Sequence, residues 1–194
     1  MKRLVDLLIC FPATLLLSPV LLLIAIWIKA ESQGPVFYLQ ERIGKNRRPF
    51  KIFKFRTMHT GADKKGLLTV GGRDPRVTGA GYYLRKYKLD ELPQLFNVLI
   101  GNMSLVGPRP EVRKYVDLYS PEQLKVLTVK PGITDYASIQ YSDENELLAK
   151  STDPERTYIQ EVMPSKLALN LKYIREQGLM TDLTIIFQTI RKII

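Results

Sequence analysis

Apolar and polar positions fall into distinct regimes along the 194 residues. From Leu4 to Ile28 the chain is almost wholly apolar, interrupted by Asp6, Pro12, Thr14 and the pair Ser18-Pro19. As a straight helix this run would extend about 37 Å, enough to cross a bilayer. From Pro35 the pattern changes: Val36, Tyr38 and Gln40 alternate with Phe37 and Leu39, Gly44-Lys45-Asn46 supplies a turn, and Phe50 to Arg56 resumes an aromatic run. This predicts a short β-hairpin close to the membrane. Gly61 to Gly81 then holds seven glycines and prolines among polar residues, the composition of a functional lid or a disordered loop. Leu92, Leu95, Phe96, Leu99 and Ile100 recur at helical spacing. Ser120-Pro121-Glu122-Gln123 combines an N1 proline with a capping-box glutamine. Lys130 to Thr134 reads as a turn and Tyr136 to Tyr141 as a short strand. Asp153-Pro154-Glu155 opens another helix, and a longer one runs from about Pro164 to Gln177 before Gly178. After Thr181-Asp182, residues Leu183, Ile186, Phe187, Ile190, Ile193 and Ile194 share one side, with Thr184, Gln188, Arg191 and Lys192 opposite. Such a stripe suits a helix lying in the bilayer interface or one packed on the core. The predicted class is α/β, mostly α with a short β-hairpin: a membrane segment over residues 1–30 and one integrated body over residues 31–194.

Charge changes how the apolar run is read. Lys2 and Arg3 precede it, and Lys29, Arg42, Lys45, Arg47, Arg48, Lys51, Lys54 and Arg56 follow, against only Glu31 and Glu41. Positive residues stay cytoplasmic, so basic flanks on both sides resist a simple spanning helix. A cleaved signal peptide would have a shorter apolar core and a small-residue cleavage site; here the run leads into Trp27-Ile28-Lys29. Two courses remain: a spanning helix, or a re-entrant one that breaks near Ser18-Pro19 and returns to the same face. An interior proline removes one backbone hydrogen bond, and a serine hydroxyl can satisfy the freed carbonyl. Pro12 is a second candidate break. The overall balance of 29 basic against 19 acidic residues implies an anionic partner, whether nucleic acid, acidic lipid or a phosphorylated substrate. One cysteine, Cys10, provides no disulfide framework, and one histidine, His59, excludes His-based metal clusters.

The candidate chemistry lies between Tyr82 and Glu111. Asp90 and Glu91 stand just ahead of Pro93, where a helix N-terminus is expected to favour acidic groups and to present N–H groups suited to phosphate. Arg85 precedes the pair, and Arg109 follows in the turn Gly107-Pro108-Arg109-Pro110. Guanidinium groups match phosphate oxygens in bidentate fashion, and Lys54 and Arg56 are positioned on the hairpin to add charge. Together these residues suggest carboxylate chemistry on a phosphate ester. The plainer alternative is a helix cap worth roughly 1 kcal/mol. Two non-catalytic functions also fit the charge: a membrane-surface adaptor for anionic lipids, and a nucleic-acid binder, although no recognised nucleic-acid motif is present.

Several long segments, taken in order, carry a resemblance that spans nearly the whole chain. These are the membrane run with Ser18-Pro19, Phe50 to Met58, Leu89 to Leu99, Met103 to Pro110, and Lys130 to Thr134. Together they resemble the monotopic phosphoglycosyl transferases, the bacterial sugar transferase family, in particular its small members. The resemblance implies a re-entrant N-terminal helix, interfacial amphipathic helices and a catalytic body at the cytoplasmic face of the bacterial inner membrane. It implies transfer of a sugar-1-phosphate from a UDP-sugar to a polyprenol phosphate such as undecaprenyl phosphate, with release of UMP. In that scheme Asp90 is the nucleophile of a covalent phosphosugar intermediate, Asp90 and Glu91 hold Mg²⁺, and Lys54, Arg56, Arg85 and Arg109 bind substrate. Membrane lipids are implied partners, and a homodimer is one arrangement the resemblance leaves open. After Lys-Pro-Gly-Ile-Thr many members continue Gly-Trp-Ala-Gln, where this chain has Asp135-Tyr136-Ala137-Ser138. Asn170 stands where an aspartate is common, ahead of a tyrosine pair of which only Tyr173 remains. The identity of the sugar is therefore not carried over.

Overall fold

The computed structural model describes residues 1–62, 68 and 74–193. Thirteen elements are named in chain order. Helix α1 (Lys2–Glu31) leads into β1 (Phe37–Ile43) and β2 (Pro49–Phe55), then α2 (Gly79–Lys86), α3 (Gln94–Ile100), β3 (Ser104–Val106) and α4 (Arg113–Val116). After β4 (Gly132–Thr134) come α5 (Tyr136–Gln140), α6 (Glu144–Ala149), α7 (Pro154–Thr157), α8 (Met163–Glu176) and α9 (Leu179–Ile193). The protein is thus mostly helical with a short antiparallel hairpin, as expected. The parts of the Gly61 to Gly81 stretch at 63–67 and 69–73, where the lid or disorder was expected, lie outside the described residues, as does Ile194 of the terminal stripe.

Helix α1 lies along the body rather than apart from it. Asp6, Cys10, Leu21, Ile24 and Ile28 form its buried stripe, with Cys10 packed on Ile52, Leu95, Val98 and Met103, and Leu21, Ile24 and Ile28 on Phe55 and Leu84. The opposite face exposes Leu4, Leu8, Leu15, Leu22, Ile26 and Trp27. Both ends are bonded to the same body. At the start, the Lys2 ammonium donates to Tyr173 Oη at 3.1 Å and pairs with Asp182, Arg3 donates to the carbonyls of Val98 and Leu99, and the buried Asp6 carboxylate accepts from Ser104 Oγ and Leu105 N. At the far end Glu31 accepts from Ala80 N at 2.8 and 2.9 Å. Proline at position 19 leaves the Leu15 carbonyl without its i+4 donor, and the Ser18 hydroxyl donates to that carbonyl at 2.8 Å. The hydrogen bond expected of Ser18-Pro19 is therefore present, but the expected break does not interrupt the helix, which runs from Lys2 to Glu31 with Pro12 and Pro19 inside it.

The expected hairpin forms, with Phe37 opposite Phe55 and Ile43 opposite Pro49. Its free edge is pinned by the fully buried Asn97, which accepts from Phe53 N and donates to the Lys51 carbonyl, both at 2.8 Å. This clamps β2 to α3 on either side of Ile52, just ahead of Lys54.

Three local expectations need correction. Lys130 to Thr134 is not only a turn: Gly132 to Thr134 forms β4, pairing parallel with β3. A Cβ on Gly132 would fall 2.1 Å from Gly107 N, and one on Gly107 would fall 2.5 Å from the Lys130 carbonyl, so both glycines are needed for the two chains to approach. Tyr136 to Tyr141 is a helix rather than a strand, because Asp135 caps it by accepting from Ser138 N at 2.6 Å. The dyad does not sit in the first turn of a helix. Asp90 and Glu91 occupy a short 3₁₀ turn, Leu89–Glu91, entered through the left-handed residue Lys88 (φ 56°), and α3 begins only at Gln94.

Candidate active site

A cavity of about 680 Å³ brings Lys54, Arg85, Asp90, Glu91 and Arg109 together. Four elements supply them: β2 carries Lys54, α2 carries Arg85, the 3₁₀ turn carries the two carboxylates, and the turn after β3 carries Arg109. Arg56 does not line this cavity. The hairpin ladder ends at Phe55, and the Arg56 guanidinium turns into the body, donating to the carbonyls of Pro35 (2.6 Å), Gln33 (3.0 Å) and Ser32 (2.9 Å). It clamps the α1–β1 connection and is not available to substrate as expected.

The two carboxylates have opposite surroundings. Glu91 is held by cations: Lys54 Nζ donates to Oε1 at 2.8 Å, and the Arg109 fork donates to Oε2 at 3.0 Å and to Oε1. Burial pushes the Glu91 carboxyl up, but the charges and hydrogen bonds of Arg109 and Lys54 outweigh it and hold the group well below the usual range. Arg109 is raised by Glu91 in turn. Asp90 is 7 % exposed and makes no hydrogen bond or ion pair among the described residues. Burial and then the neighbouring Glu91 charge raise its pKa, against the pull of Lys54, Arg85 and Arg109. Lys54 and Arg85 are both lowered, chiefly by burial. Three cations against two carboxylates leave the cavity with a positive excess suited to an anion.

Residues not named as site candidates support the site, Asp135 from behind the Arg109 turn and Arg42, Glu111 and Tyr158 on the cavity wall. Asp135, fully buried, accepts from Arg109 N at 3.1 Å with one oxygen while capping α5 with the other, so one carboxylate fixes the Arg109 turn. Glu111 accepts from Arg42 at 2.9 Å, Val112 N at 2.7 Å and Tyr158 Oη. The signal for Asp135 was present as an N-cap residue three positions before Ser138. Nothing local marks Arg42 or Tyr158. On its other side the cavity reaches Ile9, Ala13 and Leu17 of α1, together with Leu95 and Leu105. One space therefore has a charged wall and an apolar wall adjoining α1.

Comparison with known proteins gives a consistent picture. The sequence model of a family described as bacterial sugar transferase matches residues 1–194. The UDP-N-acetylgalactosamine-undecaprenyl-phosphate N-acetylgalactosaminephosphotransferase of Aeromonas hydrophila is 40% identical over 196 residues, covering 100% of this chain and 43% of that protein. The UDP-glucose:undecaprenyl-phosphate glucose-1-phosphate transferase of Escherichia coli K12 is 39% identical over 197 residues, 99% of this chain and 40% of that one. An exopolysaccharide production protein, PSS, of Rhizobium leguminosarum is 36% identical over 197 residues and is covered over 93% of its length. The chain thus spans less than half the length of the first two relatives and nearly all of the third.

Proposed function

Since the chain belongs to the bacterial sugar transferase family, we propose that it transfers a sugar-1-phosphate from a UDP-sugar to undecaprenyl phosphate at the cytoplasmic face of the bacterial inner membrane. The product would be the first membrane-bound intermediate of a glycoconjugate. The observation that carries this reading is the split dyad: one buried carboxylate left without a partner, Asp90, beside one locked to two cations, Glu91, in a cavity that also opens on α1.

An oxygen of Asp90 attacks the sugar-bearing phosphorus of the donor. The bond from that phosphorus to the bridging oxygen breaks, and UMP leaves with the electron pair. A phosphate oxygen of the polyprenol phosphate then attacks the same phosphorus, the acyl–phosphate bond breaks, and the Asp90 carboxylate is restored. No proton has to move in either step. A carboxylate ionised at neutral pH is a modest nucleophile whose acyl phosphate is reactive enough to pass the group on. Arg85 and Arg109 neutralise charge on the phosphoryl oxygens. Glu91 fixes Lys54 and Arg109 in place, a positioning role.

The donor set also fits Mg²⁺, which favours carboxylate oxygens together with phosphates and water. Asp90 is the side chain available to it, because the Glu91 oxygens are already bonded to cations, and no group of three His, Cys, Asp or Glu gathers among the described residues. Bound there, the ion would supply further charge neutralisation at the transferred phosphoryl group.

For α1 we favour the re-entrant course. Its two ends are bonded to one body, and Ser18 satisfies the carbonyl freed by Pro19. The exposed apolar face of α1, together with Leu183, Phe187 and Ile190 of α9, supplies a surface to enter the bilayer.

The test is single-substrate labelling. With a UDP-sugar labelled in the sugar and no acceptor, the protein should retain label and release one equivalent of UMP, and Asp90→Asn should do neither. Full turnover with both substrates but no label from the donor alone would replace the covalent route by direct transfer. Undiminished UMP release in excess chelator would remove Mg²⁺ from the scheme.

A further inference from the structure

Among the described residues, three buried polar atoms lack a hydrogen-bond partner: Gln94 Nε2, Ser138 Oγ and Asn170 Oδ1. Ser138 and Asn170 line the reactive cavity. Asn170 is 4 % exposed, so its Oδ1 has been removed from water with no compensating hydrogen bond among the described residues. Native interiors rarely tolerate this unless something else completes the bonding. The two residues come from neighbouring elements, since α5 and α8 pack together. Both lie against the Arg109 turn. Asp135 accepts from Ser138 N with one oxygen and from Arg109 N with the other, and Asn170 shares a small crevice with Pro108, Arg109 and Pro110.

We infer that Ser138 and Asn170 form the subsite that reads the sugar of the donor, by hydrogen bonds to a ring hydroxyl or an acetamido group. This rests on the sugar-phosphate transfer proposed above. The chemistry of the unpaired groups narrows the ligand. Asn170 Oδ1 requires a donor, and the Ser138 hydroxyl can either donate or accept. A hydroxyl or a secondary amide offers both, whereas an ionised phosphate oxygen only accepts. The edge of uracil also offers both, but the base lies across the diphosphate from the sugar. Ser138 and Asn170 sit beside Arg109, which shares the cavity with Asp90 and so with the sugar-bearing phosphorus. A site made this way selects by the penalty for leaving its polar atoms unpaired, which is how hydroxyl-reading pockets reject analogues lacking the group.

The full chain in detergent, supplied with undecaprenyl phosphate, is assayed for UMP release from UDP-glucose, UDP-galactose and their two N-acetylamino counterparts. The wild type should prefer one of the four. Ser138→Ala and Asn170→Leu should each lower kcat/KM for that sugar about 10- to 100-fold, the range for one buried hydrogen-bonding group left unpaired. They should affect the least-used sugar much less, so that the spread of the four values narrows. Inhibition by UMP, which has the base but no sugar, should be unchanged. An equal loss for all four sugars would assign the residues a structural role and overturn the subsite. Weakened UMP inhibition in step with kcat/KM would assign them to the base and overturn it also. Ser138→Ala removes a single oxygen and decides the matter alone if Asn170→Leu does not fold. Absence of UMP release from all four donors with wild type would instead remove the transfer reaction itself, and the subsite with it.

Discussion

Replacing each carboxylate of the dyad by its amide should move stability in opposite directions, although the residues are adjacent. Asp90 is buried and makes no hydrogen bond or ion pair among the described residues, and burial followed by the Glu91 charge raises its pKa. Ionised Asp90 is therefore a destabilising group tolerated for function. Asp90→Asn keeps the shape and removes the charge, and relief of this kind is worth about 0.5–2 kcal/mol. At roughly 2–4 °C per kcal/mol for a chain of this size, Tm should rise by a few degrees. Glu91→Gln strips Lys54 and Arg109 of their shared counterion and leaves two like charges together. Breaking a buried pair costs about 3–5 kcal/mol. Glu91, Lys54 and Arg109 side chains keep 18%, 17% and 33% exposure, so the low end of that range applies, about 3 kcal/mol, or a Tm lower by roughly 6–12 °C. The pH dependence follows from the signs. Glu91, depressed, contributes stability that is present above its ordinary pKa of 4.5 and lost as pH falls through its lower folded value. Asp90, raised, does the reverse: its penalty is absent below its ordinary pKa of 3.8 and fully present above its folded value. Thermal unfolding of both variants in one detergent, followed by circular dichroism at pH 7.5 and again toward pH 4, reads both effects: the Asp90→Asn gain should fade as pH falls toward 3.8, whereas most of the Glu91→Gln loss should persist at pH 4 and disappear only below the depressed folded pKa of Glu91. An Asp90→Asn protein less stable than wild type, or a Glu91→Gln protein of wild-type stability, would refute the assigned environments.

Three further outcomes are expected. Because Asp90 must be ionised to attack and its pKa is raised by burial and by Glu91, the rate of protein labelling by donor alone should fall with acid above the ordinary carboxylate range; a midpoint at or below pH 3.8 would contradict this. Arg109→Lys keeps a charge but loses the fork onto Glu91, and should slow labelling about 100-fold; unchanged kinetics would make the Gly107 to Pro110 turn a structural corner only. If both ends of α1 are cytoplasmic, a cysteine inserted after Met1 and a Glu122→Cys change should both escape a membrane-impermeant thiol reagent in intact cells and both react after permeabilisation. Cys10 itself should stay silent, being buried with its thiol pKa pushed up to about 12, and labelling of the inserted cysteine alone would establish a spanning helix.

What the sequence made legible was set by local chemistry. The Ser120–Gln123 capping box forms as read, with Ser120 N donating to Gln123 Oε1 at 2.8 Å and Gln123 N to Ser120 Oγ at 3.3 Å, although it opens a 3₁₀ run rather than an α-helix. The hairpin and α8 also follow their patterns. Two of the misses depended on partners distant in the chain. β4 exists only because β3 lies beside it, and Asp6 looked like an interruption of an apolar run because the Ser104 that receives it is 98 residues away. Arg56 was placed with Lys54 on the hairpin, but the strand ends one residue before it, at Phe55.

The placement of the dyad on a 3₁₀ turn explains how two adjacent carboxylates take up different work. With three residues per turn, neighbouring side chains on such a turn point about 120° apart, so cations that hold one do not also reach the other. Glu91 faces Lys54 on β2 and Arg109 across the cavity, whereas Asp90 is left against the cavity and under α2, where Arg85 acts on it only through space. Had both groups stood in the first turn of α3, its free N–H groups would have drawn both as caps and lowered both pKa values. Entry through Lys88 in the left-handed region, a conformation that costs an ordinary residue about 1–2 kcal/mol, sets the turn ahead of the helix and keeps Asp90 out of reach of those donors. The strain at Lys88 and the position of Asp90, without a hydrogen bond or ion pair among the described residues, are thus parts of one arrangement that separates the two carboxylates, as the nucleophilic role proposed for Asp90 requires.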